Sequence, residues 1–176
     1  MNLETAYNEA CSTPSDINEH LPTLFDLTAT AGTVVELGTR GGVSTLAFLH
    51  ALTGRGHLWS VDIDPRPDLP EFDHWTFIEG DDCSPEVFAQ LPTGVDVVFI
   101  DTSHAYPHTV DELALYRWLV RPGGVIVLHD TELQFPGGIA PGPAFPVKRA
   151  VVEFCEREQL EWFNYPNNNG LGVIQL

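Results

Sequence analysis

The stretch VVELGTRGGVST, residues 34–45, decides the fold of this chain. A β-branched, apolar run carrying Glu36 opens into a glycine-rich turn, and the turn leads into a sequence compatible with a helix. Gly38, Gly41 and Gly42 can take a positive φ or leave room where a side chain would collide, and the first turn of the helix offers unpaired N–H groups to a ligand. The pattern predicts a nucleotide-type pocket, although its spacing is neither GxGxxG nor GxxxxGK[ST]. A purely structural turn is the alternative.

A second acidic strand end follows further along the chain. The run HLWSVDID, residues 57–64, is typical of a buried strand. In nucleotide-binding α/β folds an acid at this point accepts hydrogen bonds from the ribose hydroxyls, and Asp62 is predicted to do so here. The alternative is a solvated strand end before the proline-rich loop PRPDLP. A third strand, Trp75–Gly80, runs into Asp81 and Asp82, either of which could instead cap the following helix.

Length and composition indicate one acidic domain. A chain of 176 residues holds one α/β domain with a substantial core. Its 25 acidic and 8 basic residues give a net charge of −17, which repels phosphate backbones and anionic lipids, so neither nucleic acid nor a membrane is expected as a partner. Because the sequence has no apolar run of the roughly 20 residues that span a bilayer and no signal-peptide pattern, a cytoplasmic protein is expected. The three cysteines, with no CxxC, suggest neither a disulfide framework nor a thiolate zinc site.

The order of predicted elements gives the fold class. Strands and helices alternate, which is typical of a parallel, doubly wound sheet. The expectation is a single Rossmann-like α/β domain over residues 1–176, with a mostly parallel sheet and an antiparallel C-terminal hairpin around NNNG. The N-terminal helical segment, residues 1–30, is predicted to hold a helix from about Ser15 to Ala29. Residues 131–146 are predicted to form a mobile substrate loop, with a flexible linker as the alternative. Further helices are predicted at residues 44–53, 85–90, 109–119 and 146–159.

Two more strand ends carry titratable side chains. VDVVFID ends at Asp101, with His104 shortly after it, and GGVIVLHD ends at His129 and Asp130. Because ligands bind outside the carboxyl ends of the strands, these side chains are expected in one crevice. In one interpretation Asp101, His129 and Asp130 bind a hard divalent cation such as Mg²⁺ or Mn²⁺. His104 then removes a proton. In a second interpretation the cluster is a metal-free acid–base site, and in a third these are strand-end residues satisfied by loop backbone.

Taken together, the motifs resemble those of a known enzyme group. Glu36, Gly38 and Gly42 form ExGxxxG, which resembles the first motif of class I S-adenosylmethionine-dependent methyltransferases. The sequence DTSHAYPHTVDELALYRWLVRPGGVIVLHDT, residues 101–131, resembles the fourth- and fifth-strand region of the small O-methyltransferase group that includes cephalosporin hydroxylase-like and macrolide-sugar O-methyltransferases. The resemblance covers most of the chain, from about residue 16 through GLGVIQL at the C-terminus.

The resemblance implies a cofactor and its contacts. S-adenosylmethionine is the implied cofactor, and its methyl group would pass to a hydroxyl. A carboxylate after the third strand, Asp81 or Asp82, is implied near the adenine amino group. The full set of implied cofactor-binding residues is Glu36, Gly38, Thr39, Arg40, Gly42, Ser44, Asp62, Ile63, Asp81 and Asp82.

The resemblance also implies the catalytic groups and the acceptor. Asp101, His129 and Asp130 match the positions that bind Mg²⁺ in the group, and His104 matches its base, so Asp101 and His104 are the catalytic candidates. This chain has His129 where the group has an acid, which also admits Mn²⁺, Fe²⁺ or a metal-free mechanism because imidazole is a borderline ligand. The implied acceptor is a small-molecule or glycan hydroxyl, recognised by the loop at 132–146, the N-terminus or a partner subunit of a homo-oligomer. A non-catalytic S-adenosylmethionine-binding module and a hydroxylase-like enzyme with the same pocket are the alternatives.

Overall fold

A computed structural model describes residues 2–134 and 144–176 of the chain. The strands of this described part are β1 (Thr33–Leu37), β2 (His57–Asp62), β3 (Trp75–Glu79), β4 (Val95–Ile100), β5 (Val120–His129), β6 (Trp162–Tyr165) and β7 (Leu171–Gln175). Its helices are α1 (Leu3–Ser12), α2 (Leu21–Thr28), α3 (Val43–Leu52), α4 (Pro85–Phe88), α5 (Tyr106–Tyr116) and α6 (Pro146–Glu158).

The strands form one mostly parallel sheet. Their order is β3-β2-β1-β4-β5-β7-β6. The strands β1 to β5 run parallel to their neighbours, whereas β7 pairs antiparallel with β5, and β6 pairs antiparallel with β7. The predicted Rossmann-like α/β class, with its antiparallel C-terminal hairpin, is confirmed. The strand order reverses between β1 and β4, and the crevice at such a point is where open α/β sheets bind ligands.

Helices cover both faces of the sheet, which explains why the central strands are continuous apolar runs. Val34 and Val35 are neighbours in β1 and are fully buried in different core clusters. Val35 belongs to the cluster that includes Tyr116 of α5, and Val34 to the cluster that includes Phe48 of α3. Because β1 is held from both sides, the turn that follows it has a rigid base.

The N-terminal segment differs from the single helix predicted over Ser15–Ala29. It contains α1, a 3₁₀ turn at Asn18–His20 and then α2. Pro22 stands in the first turn of α2, where a proline is tolerated, whereas the interior of a longer helix would not accept it. The helix α1 was missed because none of its residues is buried, so it has no strong apolar spacing to detect.

Other predicted boundaries are close to the observed ones. The helix predicted from Thr109 begins earlier, at Tyr106, and β5 begins at Val120. The NNNG turn joins β6 to β7 as predicted, with Asn168 and Asn169 at φ values of +45° and +66°. Most of the loop predicted at 131–146 lies outside the described residues. None of the helices in the described ranges is long and apolar enough to cross a membrane.

Candidate active site

The turn between β1 and α3 requires glycine at two positions. Gly38 has a φ of +84°, and a Cβ placed on it would lie 1.9 Å from the carbonyl oxygen of Asp101. Gly42 has a φ of +79° and is the left-handed N-cap of α3. A Cβ on Gly41 would meet nothing within 4 Å. The predicted need for glycine is confirmed at 38 and 42, while Gly41 has no steric reason to be glycine.

The carboxylate of Asp62, at the end of β2, holds this turn in place. Its Oδ2 accepts hydrogen bonds from the backbone N–H groups of Thr39 (2.7 Å) and Arg40 (2.9 Å) and from Thr39 Oγ1 (3.0 Å). Its Oδ1 accepts one from Asp64 N (2.9 Å). Burial opposes ionisation, but these hydrogen bonds outweigh it and lower the pKa of Asp62. Asp62 is therefore an ionised acceptor fixed beside the glycine turn.

Glu36 lies behind the turn. Its fully buried carboxylate accepts hydrogen bonds from Ser44 Oγ (2.6 Å), Ser60 Oγ (2.6 Å) and Thr45 Oγ1 (2.9 Å). Burial raises its pKa to about 7, although the hydroxyl donors favour the ionised form. Glu36 thus ties β1 to α3 and β2, and it is absent from the wall of the adjacent cavity.

A cavity of about 470 Å³ opens at the carboxyl ends of the strands. Its volume is within the range of about 300–1,000 Å³ that is usual for small-molecule sites. Carboxylates outnumber cationic side chains on its wall, so its electrostatic field favours a cationic ligand. The predicted site residues that it brings together are Gly38, Arg40, Asp62, Ile63, Asp81, Asp82 and Asp101.

A smaller cleft of about 100 Å³ adjoins this cavity. The two spaces share parts of their walls, including Gly38, Asp101 and Thr102. His104 lies on the cleft side, so Gly38 and Asp101 stand between His104 and the cavity. Two further predicted residues, Thr39 and Ser44, line the cleft, whereas Gly42 lines neither space.

Two imidazoles and two carboxylates meet at the ends of β4 and β5, as the sequence predicted. His104 Nε2 lies 2.8 Å from Asp130 Oδ2 and 3.3 Å from Asp101 Oδ1. His129 Nδ1 lies 3.2 Å and 3.4 Å from the same two oxygens. Burial alone would lower the pKa of both histidines, but the carboxylates outweigh it and raise the pKa to about 9 for His104 and about 10 for His129. The imidazoles lower the pKa of Asp101 and Asp130 despite the burial of both acids.

The ring of His129 is fixed by two backbone carbonyls. Its Nε2 lies 3.1 Å from the oxygens of both Asp16 and Asn168, and since both atoms are acceptors, Nε2 must carry the hydrogen. The other nitrogen, Nδ1, faces Asp101 and Asp130. Within the described ranges, the buried His129 Nδ1 has these ion-pair contacts but no hydrogen bond of good geometry, and the buried Asp130 Oδ1 has no hydrogen-bond partner.

These two buried atoms bear on whether the cluster fits a divalent cation. With its hydrogen on Nε2, His129 can exchange the Nδ1 proton for a cation, and the ring is then in the tautomer that a metal ligand needs. The donor atoms of Asp101, His104 and Asp130 all lie within 4.8 Å of one another. Carboxylate and imidazole donors suit Mn²⁺ and related cations. The cluster therefore fits a divalent cation, and His104 belongs to this donor set together with the two predicted acids.

The cavity wall also contains residues outside the predicted cofactor-binding and catalytic sets. Thr102 Oγ1 donates a hydrogen bond to Glu112 Oε1 (2.6 Å), and His108 Nε2 lies 3.1 Å from Asp82 Oδ1. Thr102 and His108 line the cavity, and Glu112 is fully buried behind them. The sequence feature that could have indicated these residues is the pair His108 and Glu112, which stand one turn apart on α5. Such a pair is equally typical of a solvated helix face.

The family and the relatives that match this chain in sequence are named as methyltransferases. Residues 35–131 match the family described as "Methyltransferase domain". The rhamnosyl O-methyltransferase of Mycobacterium tuberculosis is 26% identical over 164 residues, which cover 76% of this chain and 64% of that protein. A putative O-methyltransferase of Mycolicibacterium vanbaalenii is 31% identical over 156 residues, covering 80% and 67%. The chain thus spans less than two thirds of the rhamnosyl O-methyltransferase.

Solved structures share the fold. A putative caffeoyl-CoA O-methyltransferase from Staphylococcus aureus superposes with a TM-score of 0.72 at 16% identity, over 99% of this chain and 92% of that one. The O-methyltransferase TomG of Streptomyces achromogenes, solved in complex with S-adenosylmethionine, has a TM-score of 0.60 at 17% identity, over 97% and 89%. At these identities the likeness is one of fold.

Proposed function

The chain belongs to the methyltransferase domain family, and from this premise we propose that it moves the methyl group of S-adenosylmethionine to a hydroxyl oxygen of a sugar or another small molecule. One observation carries the proposal. The large acidic cavity and the smaller cleft share Gly38 and Asp101 in their walls, and the imidazole of His104 lies on the cleft side of this junction. A cofactor in the cavity and an acceptor in the cleft would meet there.

The cavity has the chemistry for a nucleoside that carries positive charge. In this proposal the cofactor lies against the bare backbone of Gly38, and its ribose hydroxyls donate to the ionised carboxylate of Asp62. Ile63 is 73% exposed beside this space, and a planar adenine would cover its apolar side chain. Asp81 is a hydrogen-bond acceptor for the adenine amino group. The sulfonium then faces Asp101, which favours its charge.

In methyl transfer, the main task of the protein is to align the two reactants rather than to react covalently itself. The acceptor oxygen bonds to the methyl carbon as the carbon–sulfur bond breaks, the sulfonium becomes a neutral thioether, and the hydroxyl proton passes to a base. His104 Nε2 is the proposed base, because Asp101 and Asp130 hold it at the edge of the cleft.

We further propose that Asp101, His129 and Asp130 hold a divalent cation during turnover, beside His104. Such a cation supplies Lewis acidity that lowers the pKa of a bound hydroxyl. The buried Asp130 Oδ1, which has no hydrogen-bond partner among the described residues, supports this proposal, because a cation would satisfy it. With the negative charge of the two acids balanced, the imidazole of His104 is no longer held in its protonated form and is free to accept the hydroxyl proton.

The acceptor class rests on the relatives. One relative is named a rhamnosyl O-methyltransferase, so a deoxysugar carrying neighbouring hydroxyls is the first acceptor to test. Two adjacent hydroxyls suit a cation site of this kind, because both oxygens can bind the same ion.

Calorimetric titration with S-adenosylhomocysteine, followed by turnover assays on a panel of rhamnosides and catechols with Mn²⁺ or Mg²⁺, tests the proposal. We expect binding by the wild-type protein and methylated product from at least one diol. Asp130→Asn should keep cofactor binding, because Asp130 does not line the cavity, and should lose turnover at least about 100-fold. Glu156→Gln, an exposed change on α6, is the control. Absence of cofactor binding by wild type contradicts the proposal, and binding with no product from any acceptor favours a non-catalytic binding module.

A further inference from the structure

A second cluster of ligating side chains lies on the wall of the cavity, whereas His104 lines the adjoining cleft. Asp82 follows β3, Cys83 is next to it, and His108 and Glu112 stand one turn apart on α5. His108 Nε2 lies 3.1 Å from Asp82 Oδ1 and 3.5 Å from Glu112 Oε1. The donor atoms of Asp82, Cys83 and His108 all lie within 4.8 Å of one another. Asp82 and His108 line the cavity, so the cluster is open to a ligand from that side.

The two carboxylates of this cluster are incompletely satisfied. Asp82 is 6% exposed and Glu112 is 0% exposed. In residues 2–134 and 144–176, neither Asp82 Oδ2 nor Glu112 Oε2 has a hydrogen-bond partner. Two buried acids face a single imidazole, so when both acids are ionised even a protonated His108 leaves one negative charge uncompensated. A buried charge of this kind is costly unless a proton or a cation balances it.

We propose that Asp82, Cys83 and His108 form a binding site for a zinc-type divalent cation, with Glu112 supplying further negative charge beside it. The donor set decides the class of cation. Thiolate and imidazole are soft or borderline ligands that select Zn²⁺ over Mg²⁺ and Ca²⁺, and zinc also accepts a carboxylate oxygen, so the three side chains can supply three ligands. The fourth position faces the cavity, because two of the three ligands lie on its wall.

The surrounding contacts orient the donors as a metal site requires. Thr102 Oγ1 donates to Glu112 Oε1 and fixes that carboxylate beside His108. Tyr116 donates its hydroxyl hydrogen to the carbonyl oxygen of Asp82 (2.7 Å) and holds the backbone of the first ligand. Such outer contacts keep ligands in place before the cation arrives. Sequence patterns do not indicate this site, because the cysteine has no second cysteine near it and its partners come from two separate elements.

Cobalt substitution tests the proposal with a readout other than catalysis. Co²⁺ bound by a cysteine thiolate absorbs in the near ultraviolet through sulfur-to-metal charge transfer, and Zn²⁺ bound at the same place removes that absorption. We expect the band in the wild-type protein, and we expect added Zn²⁺ to abolish it. Cys83→Ser should lose the band, whereas Cys11→Ser, a change at a cysteine outside the cluster, should keep it. His108→Gln should weaken Zn²⁺ binding at least about tenfold in equilibrium dialysis.

The outcomes separate this site from the cluster at the ends of β4 and β5. Asp130→Asn should keep the charge-transfer band, because Asp130 belongs to the other group of donors. A wild-type protein without the band, or a band that persists in Cys83→Ser, overturns the proposal. If Cys83→Ser does not unfold cooperatively, the affinity of His108→Gln decides, and an unchanged affinity overturns the proposal. Binding of S-adenosylhomocysteine to protein treated with a chelator tests the proposed function independently of this site.

Discussion

The carboxylate of Glu36 shows how burial couples one side chain to the stability of the whole protein. Burial raises its pKa to about 7, from 4.5 for the group in the unfolded chain. The folded protein therefore binds this proton more tightly, and stability is complete below pH 4.5 and falls as the pH rises towards 7. At about 1.4 kcal/mol for each pKa unit, the loss is up to about 3 kcal/mol.

Glu36→Gln should remove this pH dependence. Between about pH 4.5 and about pH 7.5, we expect the unfolding free energy of wild type to fall by up to about 3 kcal/mol relative to that of the variant, because glutamine cannot ionise. Urea denaturation at several pH values measures the difference. The matched control is Glu156→Gln, at an exposed carboxylate on α6, which should follow the wild-type profile. Parallel profiles for Glu36→Gln and wild type would contradict the prediction.

A substitution at Gly38 tests how closely the ends of β1 and β4 approach each other. In Gly38→Ala the new methyl would lie 1.9 Å from the carbonyl oxygen of Asp101, in addition to the strain of a positive φ. Gly54→Ala is the control, because Gly54 has a similar φ of +72° but open space around it. We expect Gly54→Ala to cost about 1–2 kcal/mol and Gly38→Ala at least about 2 kcal/mol more, measured by chemical denaturation. Equal losses would show that only the backbone conformation matters.

Single residues differ in how well the sequence predicts them. The glycine at 38 and the acid at 62 were predictable, because a turn after a strand and an acid after the next strand are local patterns. The contact of Asp82 with His108 was not predictable, because it depends on how the end of β3 meets α5 across a gap of 26 residues. The role of Asp62 was only half anticipated, since its hydrogen bonds to the glycine turn depend on the exact approach of β1 and β2.

At the scale of elements, the hairpin between β6 and β7 is hydrogen-bonded to the N-terminal segment through Asn168, and these contacts are called the clasp below. Asn168 Oδ1 accepts from Glu19 N (3.0 Å), and Asn168 Nδ2 donates to Ser15 O (2.9 Å). The clasp brings the carbonyls of Asp16 and Asn168 to His129. The NNNG turn predicted the hairpin, and hydrophobic spacing predicted a helix over Ser15–Ala29 that contains α2. Neither pattern carries information on polar contacts between distant segments, so the clasp could not be predicted.

Asn168→Gly should loosen the clasp without changing the backbone of the turn. Glycine accepts the left-handed conformation of Asn168 (φ +45°) but removes two hydrogen bonds, so we expect a loss of about 1–3 kcal/mol. Hydrogen exchange should become faster in residues 15–20, because these lose their partner. Asn169→Gly, at a neighbouring left-handed position (φ +66°), is the backbone control. If both variants exchange alike, the side chain of Asn168 does not hold the segment.

At the scale of the whole molecule, a net charge of −17 means that like charges repel one another in the folded state. The fold adds to this by bringing the acidic strand ends together at the reversal between β1 and β4, where the sheet topology leaves a crevice. The fold class and this edge of the sheet follow from strand and helix alternation. The division of the acidic residues between two separate clusters does not follow from this alternation, because it depends on the directions of the side chains.

Salt and divalent cations should therefore stabilise the protein in distinguishable ways. Raising NaCl from about 0.01 M to about 1 M shortens the screening length from about 30 Å to about 3 Å, and we expect the melting temperature to rise as repulsion weakens. Mn²⁺ at equal ionic strength should give an additional rise, because binding at Asp101 and Asp130 adds about 2.7 kcal/mol at 100 times its dissociation constant. In Asp130→Asn the response to NaCl should remain and the additional response to Mn²⁺ should be lost. Identical curves for the two salts in wild type would mean that divalent cations act on this protein only through its overall charge.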